Sequence, residues 1–211
     1  MKAAKKVKLL GYSIAILLAA AGCATMSSDD EASLAALALM KRDFKDHGQA
    51  TVDRLNQDEM QRICSEYVGE RKLPRDVAER AEREQQALIR YPADGNMIGN
   101  WKEGEKIAQT GTGKQWSDDP KNPGGGNCYA CHQLSKAELS YGTIGPSLYH
   151  FGKVHGFTPE MRKYAYSKVY NSQAFVACSS MPRFGHKGIL TEQQMKDVVA
   201  LLMDPDSPVN K

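Results

Sequence analysis

Apolar residues recur at three- and four-residue steps along much of this chain, and alternation of apolar and polar positions never lasts beyond a few residues. The periodicity predicts helices and no sheet. Leu34, Leu37, Met40 and Phe44 fall on one face of a first helix. Asn56 followed by Glu59 reads as a capping box for a second, with Met60, Ile63 and Tyr67 as its stripe. Pro74 can start a third, and AERAEREQQALIR is strongly helix-forming. Tyr91-Pro92 and Gly95 break the pattern. Beyond them the spacing predicts helices over 100–108, 128–137, 159–170 and 192–203. Thr191, with Gln194 three later, caps the last of these; Met195, Val198, Val199 and Leu202 face one way along it, and Pro205 stops it. Residues 118–127 (DDPKNPGGGN) read as a loop and 173–188 as loop-rich. Residues 141–156 read as irregular chain, broken by Gly142, Gly145, Pro146, Gly152 and Gly156.

Composition changes this picture at one end only. The chain has 211 residues, 41% apolar and 25% charged, an ordinary globular balance. Its formal charge of +3 comes from the N-terminus: residues 1–22 hold four of the 28 basic residues and no acid, leaving 24 basic against 25 acidic. A remainder so close to neutral has no field to collect phosphates, so a nucleic-acid partner is excluded. MKAAKKVK is a basic head, Leu9 to Ala21 is apolar, and Gly22-Cys23 follows. This is the layout of an export signal, too short for a spanning helix of about 20 residues. Ala19-Ala20-Ala21 suits ordinary signal cleavage, whereas Ala20-Ala21-Gly22-Cys23 resembles a lipobox in which Cys23 is acylated and anchors the mature protein to a membrane. Either cut delivers the chain to a periplasm-like space where thiols can be oxidised. The organisation expected is a leader over 1–22, a helical extension over 23–95 without visible chemistry, and a functional domain over 96–211.

The chemistry lies in Cys128-Tyr129-Ala130-Cys131-His132. C-x-x-C-H is the attachment signature of c-type haem. Thiols three residues apart lie one helical turn from each other and can add to the two vinyl groups of one haem; the next residue, His132, is then held at the iron as its proximal ligand. A structural zinc site wants four ligands, usually from two such pairs, and there is no second C-x-x-C. A thioredoxin-like pair would sit in a βαβ context, which is absent. One motif implies one covalent haem c. For the sixth iron position the chain offers Met161, Met181, Met195, Met203, His150, His155 and His186. Met195 and Met203 belong to the apolar stripe or end of the last helix and read as packing residues. Met181 sits in a loop before Pro182, where it can be aimed at iron, and is the ligand chosen, with His186 and His155 next. Gly145-Pro146 matches the Gly-Pro that, in class I cytochromes c, passes a backbone carbonyl to the proximal histidine; Pro146 is then the carbonyl donor to His132, against the plainer reading of a turn. Cys64 and Cys178 remain. Two exported spare thiols most simply form a disulfide, and the alternative is a reactive Cys178 that handles sulfur.

The segments GNCYACH, GTIGPSLYHFG, MPRFGHKGILTEQQ and ALLMDPDSPVNK together resemble the SoxX family, small cytochrome c subunits of the periplasmic thiosulfate-oxidising system. The resemblance covers most of residues 97–211. It implies an all-α class I cytochrome c fold with an N-terminal helical extension. It implies a heterodimer with SoxA, in a complex that oxidatively couples thiosulfate to a cysteine of the SoxY carrier of SoxYZ. This chain is then the electron-transfer subunit without catalytic residues of its own, passing electrons to a small cytochrome c. Carried onto this sequence, it places Cys128 and Cys131 on the haem and His132 and Met181 on the iron. The rivals are a free-standing cytochrome c carrier, self-contained sulfur chemistry at Cys178, and a haem left open to a gas ligand.

Overall fold

A computed structural model describes residues 28–67 and 72–211; the leader and Cys23 lie outside the described residues. The helices are α1 (Ser28–Asp43), α2 (Glu59–Glu66), α3 (Arg75–Ala87), α4 (Trp101–Gln109), α5 (Phe151–His155), α6 (Pro159–Tyr170) and α7 (Glu192–Met203), and no strand occurs among the described residues. Among the described residues, those up to Leu39 fall in one unit and Met40–Lys211 in another. In α1 the apolar stripe is helical through Met40, while Phe44 falls just past its end; Leu34, Met40 and Phe44 are all exposed.

The core of the larger unit is built around α7, whose residues from Met195 to Met203 are all buried. Thr191 and Gln194 close the expected capping box at its start. At its end the tail folds back over the carbonyls that a helix leaves unpaired. Ser207 Oγ donates to the Leu201 carbonyl at 2.6 Å, and Asn210 Nδ2 donates to those of Leu202 and Asp204 at 3.0 and 2.9 Å. The DPDSPVN tail is thus a side-chain cap for α7, and it takes fully buried Val209 into the core. Helix α4 lies across α7 at Gly104, where a Cβ would overlap the Asp197 carbonyl oxygen and come within 3.0 Å of Leu201 Cβ. Only a residue without a side chain lets the two backbones approach so closely.

A second, smaller core lies under the extension. Met60 and Ile63 of α2 and Ala81 of α3 are buried together, with Cys64, Val77, Ala177 and Cys178 packed against them.

Three expectations need correction. Asp58, not Asn56, caps α2: the Asn56 N–H is spent on Asp53 O (2.9 Å), closing a tight 3-10 turn over Val52–Leu55. The reciprocal box then forms between Asp58 and Gln61, both bonds at 3.0 Å. The helix expected over 128–137 is only a 3-10 turn, Cys128–Ala130. Its further turns are pre-empted, because the carbonyls of Tyr129, Cys131 and Gln133 accept instead from Gly142, Gly145 and Leu148, each at 2.8 Å. Finally, the irregular 141–156 stretch contains α5, started by His150 in the left-handed region (φ 61°) and followed by Gly156 at φ 85°.

Candidate functional site

The local hydrogen bonds of 127–132 explain how one short segment presents three chemical groups. Asn127 takes a left-handed conformation (φ 45°), which reverses the chain into the turn. The Cys128 carbonyl accepts from the N–H of Cys131 at 3.1 Å and of His132 at 2.9 Å, so Cys128 and Cys131 stand one turn apart with His132 directly after. Both thiols are free and half-buried. Burial pushes the Cys128 thiol up to about 12, so it is held neutral. Tyr129, between them, points into the core, where its hydroxyl donates to Glu105 Oε1 at 3.0 Å. Burial, with Glu105 nearby, pushes that phenol up to about 12, and the turn is thereby pinned to α4.

The return loop 142–148 supplies the other side. Its bonds to the carbonyls of 129, 131 and 133 lay it along the turn, and this brings the Pro146 carbonyl to 2.7 Å from His132 Nδ1. A carbonyl can only accept, so Nδ1 carries the proton and the Nε2 lone pair is left free to bind a metal. Gly145 packs flat against the same ring: a Cβ there would come within 2.5 Å of Nδ1 and 2.7 Å of Nε2.

Met181 lies in the loop between the 3-10 turn Ser172–Ala174 and α7. It is half-buried and packs on the core that also receives Cys128. Its carbonyl accepts from Ser172 Oγ at 2.5 Å, and its N–H donates to Ser179 Oγ at 3.3 Å. The other ligand candidates are placed differently. Met195 and Met203 are buried in the core, the former against Gly185. The His150 ring bonds to the Lys211 backbone oxygen at 2.7 Å, and the His155 ring lies 4.8 Å from that of Phe151. His186 is half-buried beside Arg183 and Lys187; burial first, then these two cations, lower its pKa.

Cys64 and Cys178 form a disulfide, with Cα atoms 5.4 Å apart. Cys178 therefore offers no thiol for sulfur transfer. Arg183, only 6% exposed, is met by Asp58 Oδ2 at 2.7 Å, and Lys187 reaches the same oxygen at 2.5 Å. The pattern of apolar positions gave no signal for Asp58 and Arg183, since charged side chains are silent in it.

The donor set fits a covalent c-type haem and fits no bare ion. Two unpaired thiols one turn apart precede an imidazole with a fixed tautomer, in a cradle where a single extra methyl would strike the ring. Among the described residues no three His, Cys, Asp or Glu side chains cluster so as to hold a metal directly.

The Cytochrome c family model matches residues 102–204. Over 158 residues the sequence is 41% identical to a protein of Aquifex aeolicus (strain VF5) described as an uncharacterized lipoprotein, spanning 74% of this chain and 73% of that one. Among solved structures, SoxXA from P. pantotrophus aligns with 51% of this chain and 82% of its own, at 28% identity and a TM-score of 0.36.

Proposed function

We propose that this chain, which belongs to the cytochrome c family, is the electron-transfer subunit of a SoxAX-type complex that couples thiosulfate to a carrier cysteine. When bound, haem c supplies a one-electron Fe(III)/Fe(II) couple. Cys128 and Cys131 would hold it through thioether bonds, and His132 and Met181 would ligate its iron. The observation that carries the electron-transfer reading is the 2.7 Å bond from His132 Nδ1–H to the Pro146 carbonyl. It fixes the ring's tautomer and orientation and raises its basicity, which a ligand needs and a surface histidine does not. A thioether in the sixth position favours the reduced state and raises the potential, which suits an acceptor.

Joining thiosulfate to the SoxY cysteine thiol forms one sulfur–sulfur bond and releases one proton and two electrons, so a one-electron acceptor serves twice per event. The residues of this chain bear on that transfer alone. Cys64 and Cys178 are closed in a disulfide, and the sulfur chemistry belongs on the SoxA partner. The likeness of residues 181–194 and 200–211 to SoxX supports this assignment, with a small soluble cytochrome as the onward acceptor. Cys23 tethers the chain to a membrane facing the periplasm; the lipoprotein description of the Aquifex relative supports that placement.

Purification of the tagged full-length chain from its native membranes is expected to bring down a second haem-bearing polypeptide, and thiosulfate with the carrier is expected to reduce this chain's haem. A solitary monomer whose deletion leaves thiosulfate oxidation intact would instead establish a free-standing carrier. In the holoprotein, Met181→Ala is expected to abolish the weak red charge-transfer band of Met-ligated ferric haem and lower the midpoint potential by on the order of 100 mV, within the ~0.8 V range that axial ligands command. Cys23→Ala is expected to move the protein from the membrane to the soluble fraction.

A further inference from the structure

The helical extension reaches the segment that carries Met181 through one covalent bond and several polar ones. Three residues before Met181, Cys178 is covalently joined to Cys64 of α2. Two residues after it, buried Arg183 is paired with Asp58, the residue that caps the same helix. At the first anchor, Ala177 and Cys178 pack into the small core formed by Met60, Ile63 and Ala81. Helix α3 adds a second row of contacts. Glu82 accepts from the Ala177 N–H at 2.8 Å, Gln86 donates to the Ala174 carbonyl at 2.8 Å, and Gln85 Oε1 accepts from Arg183 Nη1 at 3.3 Å. The loop is thus gripped on both flanks by one two-helix clamp.

We infer that the α2–α3 extension is a positioning device for the sixth iron ligand: the Cys64–Cys178 disulfide and the Asp58–Arg183 pair hold the Met181 thioether on the iron and so set the reduction potential. This rests on the reading of Met181 as that ligand. Asp58 and Cys64 are positioning residues; they touch neither haem nor reacting atoms and act through the backbone at 178–183. The physical reason is entropic and electrostatic together. A loop of this length samples many conformations when free, and each anchor removes some of them. Breaking a buried pair on one side leaves the Arg183 charge uncompensated, which drives that segment outward toward water.

The test uses the holoprotein, whose covalent haem stays in place when the loop loosens. Asp58→Asn keeps the helix cap, since asparagine caps as well as aspartate, but removes the charge facing Arg183. A Cys64→Ser/Cys178→Ser double variant removes the covalent anchor. Two readouts report on ligation rather than on folding: the midpoint potential, and the affinity of the ferric protein for exogenous imidazole, which must displace Met181. Each variant is expected to bind imidazole at least ~10-fold more tightly, equivalent to about 1.4 kcal/mol of lost clamping, with a weakened red charge-transfer band and a lowered potential. If either variant fails to fold, wild-type holoprotein whose disulfide has been opened by a phosphine, its thiols blocked and its haem reoxidised, is expected to show the same imidazole shift. Wild-type potential, band and imidazole affinity in all of these samples would overturn the inference. Met181→Ala run alongside separates the two failures: if it keeps the band, the ligand assignment itself falls; if it loses the band while the clamp variants do not, only the clamp falls.

Discussion

Gly145 and His132 lie so close that nothing larger than hydrogen fits between them. The contact and the Pro146 hydrogen bond act on the same ring, one through shape and the other through direction. Gly145→Ala is therefore expected to rotate or displace the imidazole, stretch the Nδ1–Pro146 bond and cost about 1–3 kcal/mol of stability, as overpacking of a tight site does. Urea unfolding of the holoprotein, with a spectroelectrochemical titration beside it, reads both effects; an unchanged potential and midpoint would mean that the ring is not held by this contact. The site residues were legible at this scale because C-x-x-C-H is a covalent requirement written in consecutive positions. Gly145-Pro146 was legible through its resemblance to class I cytochromes c. Arg183 was not, since a buried charge carries no periodic signature and only its partner Asp58, far away in sequence, makes its burial tolerable.

Helices announced themselves where side-chain capping and apolar spacing coincide. Helix α6 spans Pro159–Tyr170, with Thr158 accepting from the Met161 N–H, and α7 opens on its Thr191–Gln194 box, as the spacing suggests. The expected 128–137 helix failed because competition for its carbonyls comes from chain thirteen to fifteen residues downstream, which a local pattern does not register. The α4–α7 crossing depends on Gly104, an isolated helical glycine that intrinsic propensity alone would count as a defect. Gly104→Ala should gain a little helix propensity and lose far more at the crossing. The expected net loss is about 1–3 kcal/mol, seen as a lower urea midpoint of the holoprotein with an unchanged visible spectrum. A stabilised variant would show that the two helices can separate without consequence.

Across the whole molecule, the charge at Asp58 links the extension to the haem-binding half. Burial alone would raise its pKa, but hydrogen bonds from Lys187, the Gln61 N–H and Arg183 outweigh that and hold it at about 2, below the ordinary 3.8. The fold therefore favours the anion. Its contribution is complete above 3.8 and is lost as pH falls through about 2. Because 30% of the Asp58 side chain meets screening solvent, the expected contribution is only about 1 kcal/mol. Unfolding midpoints taken from about pH 5 down to about pH 2 should fall more steeply for the wild type than for Asp58→Asn; parallel curves would refute the linkage.

The sequence by itself determined the cofactor chemistry and the helical class, because thioether attachment needs two thiols and a histidine at fixed short spacing, and helix stripes and caps are set by neighbours within a few residues. How closely α4 crosses α7, and that Asp58 of the extension pairs with a buried Arg183 beside Met181, were decided only by the tertiary structure. Those outcomes bring together residues as much as 125 positions apart, and no local rule of spacing or propensity acts across such a separation.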